Sequence, residues 1–590
     1  MLHGYFLPSG KLVEVSVLRE IPEDPHVVDS WNELVMRLER PEIFFTHEWA
    51  LAASRAFSDT VRPLVFLAYD AQRLCGIASL ATHPESTHTA FFLNANTADY
   101  CDILTDPANR SQALVTIFSA IQKSGIENLV LANVPSDSPT LRELPRIAES
   151  LRYHLHSRAA YDCGLILFGG DEERQAILQS VRRKDREKRG LKKMAQLGSV
   201  RLTHLATEQA EMDLTPMFSA QISRFLATGR ISPLVLPERR SFLTQLSRLL
   251  GQAGWLKISR LEVNGQPVAW NYGSWFCGSW FWYLPTFEPQ YEHLSPGSCL
   301  LRLLVEEGCA DQSVERLDLG LGDEAYKERF ANSVCPTRYV HLSTSALCHG
   351  TIAGRHWLAH AVQRFPRIEV KIREARDLSR DLRGRIRHRG PIRTAAYACQ
   401  KATKYLASDD EMLLFQAPPI EAPSNQNMTL FPLDWKQVAS AAISNANDSQ
   451  TLQYLMRCAG RLREGTTSGF VLRENDVEAR HFLWVDNYDG FHLSEIDHKI
   501  EPSDPGASMI FDCWTPAAHR GQGYYATAIR SAAALLEQQE RRAWIFSAAE
   551  NTPSVRGICK AGFVYRFSLV RKRRLGHSSV AWHDKTSSIS

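Results

Sequence analysis

Two short stretches concentrate side chains that could do chemistry. In "LDLGLGDEAYKERF" (317–330), Asp318 closes an apolar run, Asp323 and Glu324 follow on a glycine-rich turn, and Tyr326 and Lys327 come just inside the next helical turn. A group transfer needs a base for the attacking group's proton, donors for developing negative charge and a group that orients the reactant. Asp318 or Glu324 suits the first role and Lys327 the last. The same residues read without chemistry are turn-capping carboxylates and a surface Glu–Lys pair worth roughly 0.2–0.5 kcal/mol. In "AAHRGQGYYATAI" (517–529), Arg520-Gly521-Gln522-Gly523-Tyr524-Tyr525 joins a strand-like run to an alanine-rich helix. Free backbone N–H groups meet the positive end of a helix dipole at such a junction, which suits a pyrophosphate. The glycines allow close backbone approach, whereas Tyr525 stands where a small residue is expected. Ser295-Pro296-Gly297-Ser298 opens another apolar helix and reads equally as a phosphate cradle or as a plain N-cap.

Elements that must position these groups alternate between the two types. Strand-like runs at 13–18, 62–70, 75–83 and 128–134, with helical stretches from His26 and near 111–123, indicate an α/β or α+β fold. "DEERQAILQSVRRKDREKRGLKKMAQLG" from 171 reads as one long helix with a basic face, either solvated or in contact with an anion. Residues 255–287 form an antiparallel meander, with a hairpin at Asn264-Gly265 and another turn around Gly278. Its aromatics Trp270, Tyr272, Trp275, Trp280, Trp282 and Tyr283 read as core, with a sugar platform or a pantetheine tunnel as the alternative. In 367–393, arginines interleave with Glu369, Glu374, Asp377 and Asp381. That pattern makes a salt-bridged helix or a contact with anionic lipid or nucleic acid. Residues 416–427 read as a linker. Beyond it come a strand (508–516), the Ala-rich helix (526–540), a strand (543–548), a polar turn from Asn551 to Ser554, and "KAGF" before a final strand.

At 590 residues the chain exceeds one hydrophobic core, so two to four domains are expected. A 44% hydrophobic content with 23% charged residues argues for folded protein throughout. The net charge of +3 does not call for a polyanionic partner of the whole molecule. The 12 cysteines show no CxxC pair, and His26, His47, His83 and His293 lack ligand-spaced partners, so reduced core thiols and no metal are expected. The start lacks a basic-then-apolar leader and no apolar run is long enough to span a bilayer. A cytoplasmic protein is expected, with peripheral membrane contact through 367–393 left open.

The segment from 508 to 565 resembles the GNAT superfamily of N-acetyltransferases, whose Arg/Gln-x-x-Gly-x-Gly/Ala loop binds the pyrophosphate of acetyl-CoA. The resemblance implies that Arg520, Gly523 and Tyr525 occupy that loop, with Gly521, Gln522 and Tyr524 between them, and that Asn551, Ser554 and "KAGF" form the second cofactor segment. Tyr525 departs from the pattern; a ring turned away would still leave its amide to the anion. Upstream, "FFTHEWALAASRAF", "DYCDIL", "VRRKDREKRGLKKMAQLG", "WLKISRLEVNGQPVAW", "LSPGSCLLRLL" and "LDLGLGDEAYKERF" resemble, in order, the acetyltransferase group associated with cellulose and exopolysaccharide biosynthesis (the CelD/BcsL type). That group is related to the Fem-type peptidyltransferases. The resemblance implies GNAT-like halves at 1–170 and 198–345 joined by a basic helix at 171–197. A connector at 346–427, a third GNAT-like domain at 428–575 and a polar tail at 576–590 complete the expectation. It further implies an acyl-CoA-dependent N-acyltransferase acting on an amino sugar or other envelope precursor. A Fem-type transferase drawing on charged tRNA, and a non-catalytic scaffold, are the alternatives.

Overall fold

The computed structural model describes residues 3–4, 13–205, 207–322, 324–351, 354, 407–419, 428–474, 478–500, 504–574 and 577–584. Two compact units are distinguished, Met1–Arg224 with Pro233–His360 and Phe225–Ser232 with Ala361–Ser590. The arginine-rich 367–393 segment and Asp323 lie outside the described residues, as do 420–427 of the expected linker.

The first unit is an α/β structure built twice. Its first half runs β1 (Val13–Leu18), α1 (Pro25–Met36), α2 (His47–Ala56), β2 (Arg62–Asp70), β3 (Arg73–His83), β4 (Ser86–Phe92), α3 (Arg110–Lys123), β5 (Asn128–Pro135), α4 (Pro139–Ser150) and β6 (His154–Leu167). After α5 (Asp171–Arg182) and α6 (Asp185–Leu197), the plan repeats. It runs β7 (Val200–His204), α7 (Thr207–Ala227), α8 (Pro237–Gln252), β8 (Leu256–Val263), β9 (Gln266–Phe276), β10 (Ser279–Phe281), α9 (Pro296–Ala310), β11 (Arg316–Leu321), α10 (Ala325–Glu328) and β12 (Ser333–Ser343). One 15-stranded sheet carries both halves in the order β1-β2-β3-β4-β5-β12-β6-β11-β10-β9-β8-β7, with short pairings at its margins. The parallel neighbours β4·β5 and β10·β11 are each joined by a crossover helix, α3 or α9.

The halves do not close separately at 170 and 345. Strand β12, the last of the second half, pairs with β5 of the first, while β6, the last of the first, pairs with β11 of the second. Between themselves β6 and β12 share an antiparallel ladder from Ser333↔Leu165 to Ser343↔His154. Each half therefore lends its final strand to the other.

The basic stretch at 171–197 is two helices, not one, and it is packed rather than merely connecting. Arg174 in α5 is buried and donates to the carbonyls of Gly308, Asp311 and Val314 at 2.7–2.9 Å. Gly190 in α6 faces Leu294 O so closely that a Cβ would lie 2.4 Å from it. Two docking points on different parts of the core force the chain to turn at Arg183–Lys184, although no glycine or proline marks the break. Val181 and Met194 complete the attachment by entering the core with Trp280, Trp282 and Leu300. The Asn264-Gly265 hairpin stands as expected, both residues at positive φ (52° and 74°). Trp270, Tyr272, Trp280 and Trp282 are buried, the core reading of the aromatic strip.

The second unit has the layout of the second half. It runs β13 (Ala407–Gln416), β14 (Met428–Pro432), α11 (Trp435–Ser444), α12 (Ser449–Glu464), β15 (Ser468–Glu474), β16 (Glu478–Asn487), β17 (Ala507–Trp514), α13 (Tyr524–Gln538), β18 (Arg542–Ala548), α14 (Thr552–Lys560), β19 (Val564–Arg574) and β20 (His577–Asp584). The sheet order is β14-β15-β16-β17-β18-β13-β19-β20, with β17·β18 parallel and bridged by α13. Two expected boundaries move. Strand β13 lies between β18 and β19, the place β6 takes between β11 and β12, so this domain begins by residue 407 rather than 428. The alternating apolar residues Met412 and Leu414 bury one face of it. The expected tail from 576 instead contains edge strand β20, whose Trp582 stacks on Phe567 with ring centroids 3.8 Å apart.

Candidate active site

Asp318 sits on β11 at the last rung shared with β10, Phe281↔Asp318, where the parallel ladder ends. Such ends of parallel strands are where α/β sheets open a ligand crevice. Its carboxyl is buried and accepts from the Tyr100 hydroxyl at 2.9 Å and from Gly320 N–H at 2.8 Å. Gly320 has φ +71°, and a Cβ on it would lie 2.5 Å from Asp99 Oδ2. Glycine thus leaves room for the Asp99 carboxyl beside the residue whose N–H Asp318 accepts. Burial pushes Asp318 above the usual carboxylate range, against the pull of Gly320 N–H, Arg316 and Arg40. Burial, then the neighbouring Asp318 charge, pushes Asp99 up to about 7, against Lys327 and a hydrogen bond from Leu321 N–H.

Lys327 is buried, its ammonium donating to Leu321 O and pairing with Glu324 Oε2 at 2.9 Å. Glu324 itself is 57% exposed. The structure therefore brings Asp318 and Lys327 around the Gly320–Leu321 backbone and leaves Glu324 as the outer partner of the lysine. Tyr326 accepts from Trp282 Nε1 at 3.1 Å beside them. Asp99, partly exposed and poised near neutrality, is the carboxyl in this group best suited to take a proton at physiological pH. It lies in the "DYCDIL" run, and Tyr100 meets Asp318 across 218 residues, so no local spacing could reveal the pair.

The turn before α9 is a second feature of this half. Ser295 is left-handed (φ +54°) and makes no capping bond; its Oγ instead accepts from Arg186 Nε at 2.8 Å. The close seat of Gly190 holds α6 there, which brings Arg186, from the basic face, to the positive end of α9. A Cβ on Gly297 would meet the Phe287 ring at an ordinary 3.4 Å, and Ser298 is partly exposed on the first turn. A helix N-terminus with an added guanidinium fits an anionic group such as a phosphate.

In the second unit a crevice of ≈ 980 Å³ opens where the β17·β18 ladder ends at Ile510↔Ile545. Gly521 (φ +80°) and Gly523 (φ +85°) form the turn into α13, and a Cβ on either would meet nothing within 4 Å. Their role is conformational, and the N–H groups they present are open to a ligand. Arg520 folds back, donating to Thr515 O at 3.1 Å with its guanidinium 5.1 Å from the Trp514 ring. Gln522 is exposed and reaches Ala518 O at 3.4 Å, while Tyr524 is buried in the core. The Tyr525 ring leaves the turn, packs on Gly557, where a Cβ would lie 2.5 Å away, and meets Ser554 Oγ at 3.1 Å through its hydroxyl. Asn551 caps α14 by accepting from Ser554 N–H at 3.3 Å. Sequence reading missed His481, a buried crevice residue whose Nδ1 meets Thr515 Oγ1 at 2.8 Å and whose ring burial drives to a pKa of about 3, keeping it neutral. The crevice, the open turn and the polar residues at both helix starts fit a pyrophosphate-bearing cofactor.

Among the described residues no cluster of histidine, cysteine and carboxylate is placed to hold a metal ion, and no helix is long and apolar enough to cross a membrane. Comparison with curated proteins gives no match. Among solved structures, FemX is similar at 8% identity over 53% of this chain and 95% of its own, with a TM-score of 0.40. A tandem GNAT protein from the clavulanic acid biosynthesis pathway is similar at 12% identity over 56% and 98%, with a TM-score of 0.34. L-PGS from Bacillus licheniformis is similar at 11% identity over 57% and 96%, with a TM-score of 0.35. Residues 180–328, which hold Arg186, the Ser295 turn, Asp318 and Lys327, match the family model of the acetyltransferase (GNAT) domain. The fold is thus α/β with a repeated unit, and residues 180–328 carry an acetyltransferase (GNAT) domain, which makes the protein an acyltransferase.

Proposed function

We propose that the protein is an acyl-CoA-dependent N-acyltransferase whose acceptor is an amino sugar or another cell-envelope or exopolysaccharide precursor. The observation that carries this reading is the Asp99–Asp318 pair at Gly320, with Lys327 beside it, in contact with the matched domain. In this reading Asp99 takes the proton from the acceptor ammonium and so exposes the nitrogen lone pair. Asp318, held by the Tyr100 hydroxyl and Gly320 N–H, lies beside it, and its charge helps keep the Asp99 proton affinity high. Lys327, anchored on Leu321 O, orients the acceptor or the carrier, with Glu324 as its outer partner. Acetyl-CoA, or another acyl-CoA, supplies the acyl group as a thioester. Ser295, Gly297, Ser298 and Arg186 would hold its phosphates in the first unit, and Arg520–Tyr525 with Asn551 and Ser554 would do so in the second. The reading places the protein in the cytoplasm, with residues 367–393 against an anionic membrane surface.

One observation favours a second reading. The exposed face of α6 carries Arg186, Lys188, Arg189, Lys192 and Lys193, a stripe that suits a charged tRNA as donor in the manner of Fem-type transferases. Calorimetry at two salt concentrations separates the two. Acetyl-CoA binding that changes little with salt, with acetyl transfer to an amino sugar, supports the first reading. Silence toward acetyl-CoA with a steep salt dependence for aminoacyl-tRNA overturns it.

A further inference from the structure

We infer that the first half holds a separate pocket for a small zwitterion, a molecule carrying a primary ammonium and a carboxylate or phosphate; as an acceptor site it rests on the N-acyltransferase reading. A cavity of ≈ 260 Å³ is lined by Arg40, Arg110 and Arg142 and by Glu39, Asp102 and Asp137. Three guanidinium and three carboxyl groups balance, which suits a ligand bearing both signs better than a simple anion.

The basic wall is underused. Arg40 Nη2 and Arg110 Nε are buried and have no hydrogen-bond partner among the described residues, although Arg40 pairs with Glu42 at 2.5 Å and Arg110 with Glu39 at 3.3 Å. Both guanidiniums line the cavity, where an oxyanion would add a charge-assisted partner to the carboxylates they already hold. Arg142 stands exposed on the first turn of α4, whose N-cap Ser138 accepts from Thr140 N–H at 3.0 Å, so the positive end of a 12-residue helix faces the same space. The acidic wall is Asp102, held by Ser138 Oγ at 2.5 Å, and Asp137, whose side chain is 72% exposed and lies 3.6 Å from Arg40.

Topology says why the pocket is small. It lies beyond the end of the β4·β5 ladder at Phe91↔Val130, the position where the second unit opens its large crevice. Here "PANR" (107–110) leads into α3 without a glycine turn, and Arg110 itself fills the space a cradle would use. The volume is roughly a quarter of the ≈ 980 Å³ crevice, room for a monosaccharide-sized head and not for a nucleotide thioester. Arg40 also covers the Tyr100 ring at 4.4 Å, and Tyr100 holds Asp318, so a ligand on Arg40 sits one ring away from the carboxyl pair.

Calorimetry on the full chain tests this with glucosamine 6-phosphate, muramic acid, glucosamine and glucose 6-phosphate. A zwitterion should bind more tightly than either half-ligand, and whether glucosamine 6-phosphate or muramic acid is tighter tells phosphate from carboxylate. Arg142→Ala should weaken both zwitterions and glucose 6-phosphate about tenfold, the loss of one charge-assisted hydrogen bond, and spare glucosamine. Asp137→Asn should weaken the zwitterions and glucosamine and spare glucose 6-phosphate. Both side chains are exposed, and matching melting curves confirm that the fold is kept. Wild-type protein that binds none of the four, or variants that keep wild-type affinity, overturn the pocket. Zwitterion binding in a protein that does not turn over acetyl-CoA supports the pocket and sinks the acyl-CoA reading alone.

Discussion

Asp99 ties catalysis to stability in a way that one substitution can expose. Its folded pKa of about 7 lies above the ordinary 3.8, so the folded state holds this proton more tightly than the unfolded chain does. Stability contributed by the bound proton is present at low pH and is lost as pH rises from about 3.8 toward about 7. Asp99→Asn should therefore raise the melting temperature, more at pH 8 than at pH 5, while lowering turnover roughly 100- to 10,000-fold. In the wild type kcat/KM should climb with pH through about 7 and then level, as the base becomes ionised. Glu324→Gln should leave the rate near normal, since that carboxylate only partners Lys327 at the surface. An equal loss in both variants would remove Asp99 from the proposed role. At Tyr525 the bond to Ser554 is the measurable part: Tyr525→Phe should cost about 1 kcal/mol in melts and leave acetyl-CoA affinity unchanged. The meeting of Asp318 and Lys327 was legible because they share one short stretch. Asp99 was not, because the distance that pairs it with Asp318 exists only after the sheet has formed.

At the scale of elements, the α6 packing reverses a propensity rule. Glycine inside a helix ordinarily costs about 1 kcal/mol relative to alanine. Gly190→Ala should nonetheless destabilise, because the new Cβ would press on Leu294 O and push α6 away from the α9 turn. Anion binding at Ser295 should weaken with it, which a phosphate or acetyl-CoA titration of the variant reads directly. The same reasoning makes Arg174 a structural arginine: Arg174→Met strands the buried carbonyls of Gly308 and Val314 and should cost about 3 kcal/mol without altering the pH profile of the rate. Sequence periodicity served well where the local chemistry was decisive, as at Asn264-Gly265 or in the apolar strands. It failed at Arg183–Lys184, where tertiary docking breaks the helix. It failed again at β13, whose acidic start "SDDE" hid an apolar alternation, and at β20, whose polar face is that of an edge strand.

For the molecule as a whole, β13 sets where it can be divided. A fragment of 407–590 should fold alone, with a cooperative melt, whereas 428–590 lacks the strand between β18 and β19 and should not. Far-ultraviolet circular dichroism on the two fragments decides between this boundary and one at 428. Repetition of the α/β unit was legible from the order of motifs along the chain, but the lending of strands between halves was not, since a strand's sequence does not say which sheet receives it. That exchange also bears on how the protein is made. Strand β5 ends at Pro135, and its outer edge is covered only by β12, which ends at Ser343. At typical rates of synthesis, about 5–20 residues per second, the roughly 200 intervening residues take some 10–40 s to leave the ribosome. For that interval the nascent first half carries an open strand edge, able to pair with neighbouring chains on the same message, and its sheet is completed only when the end of the second half emerges.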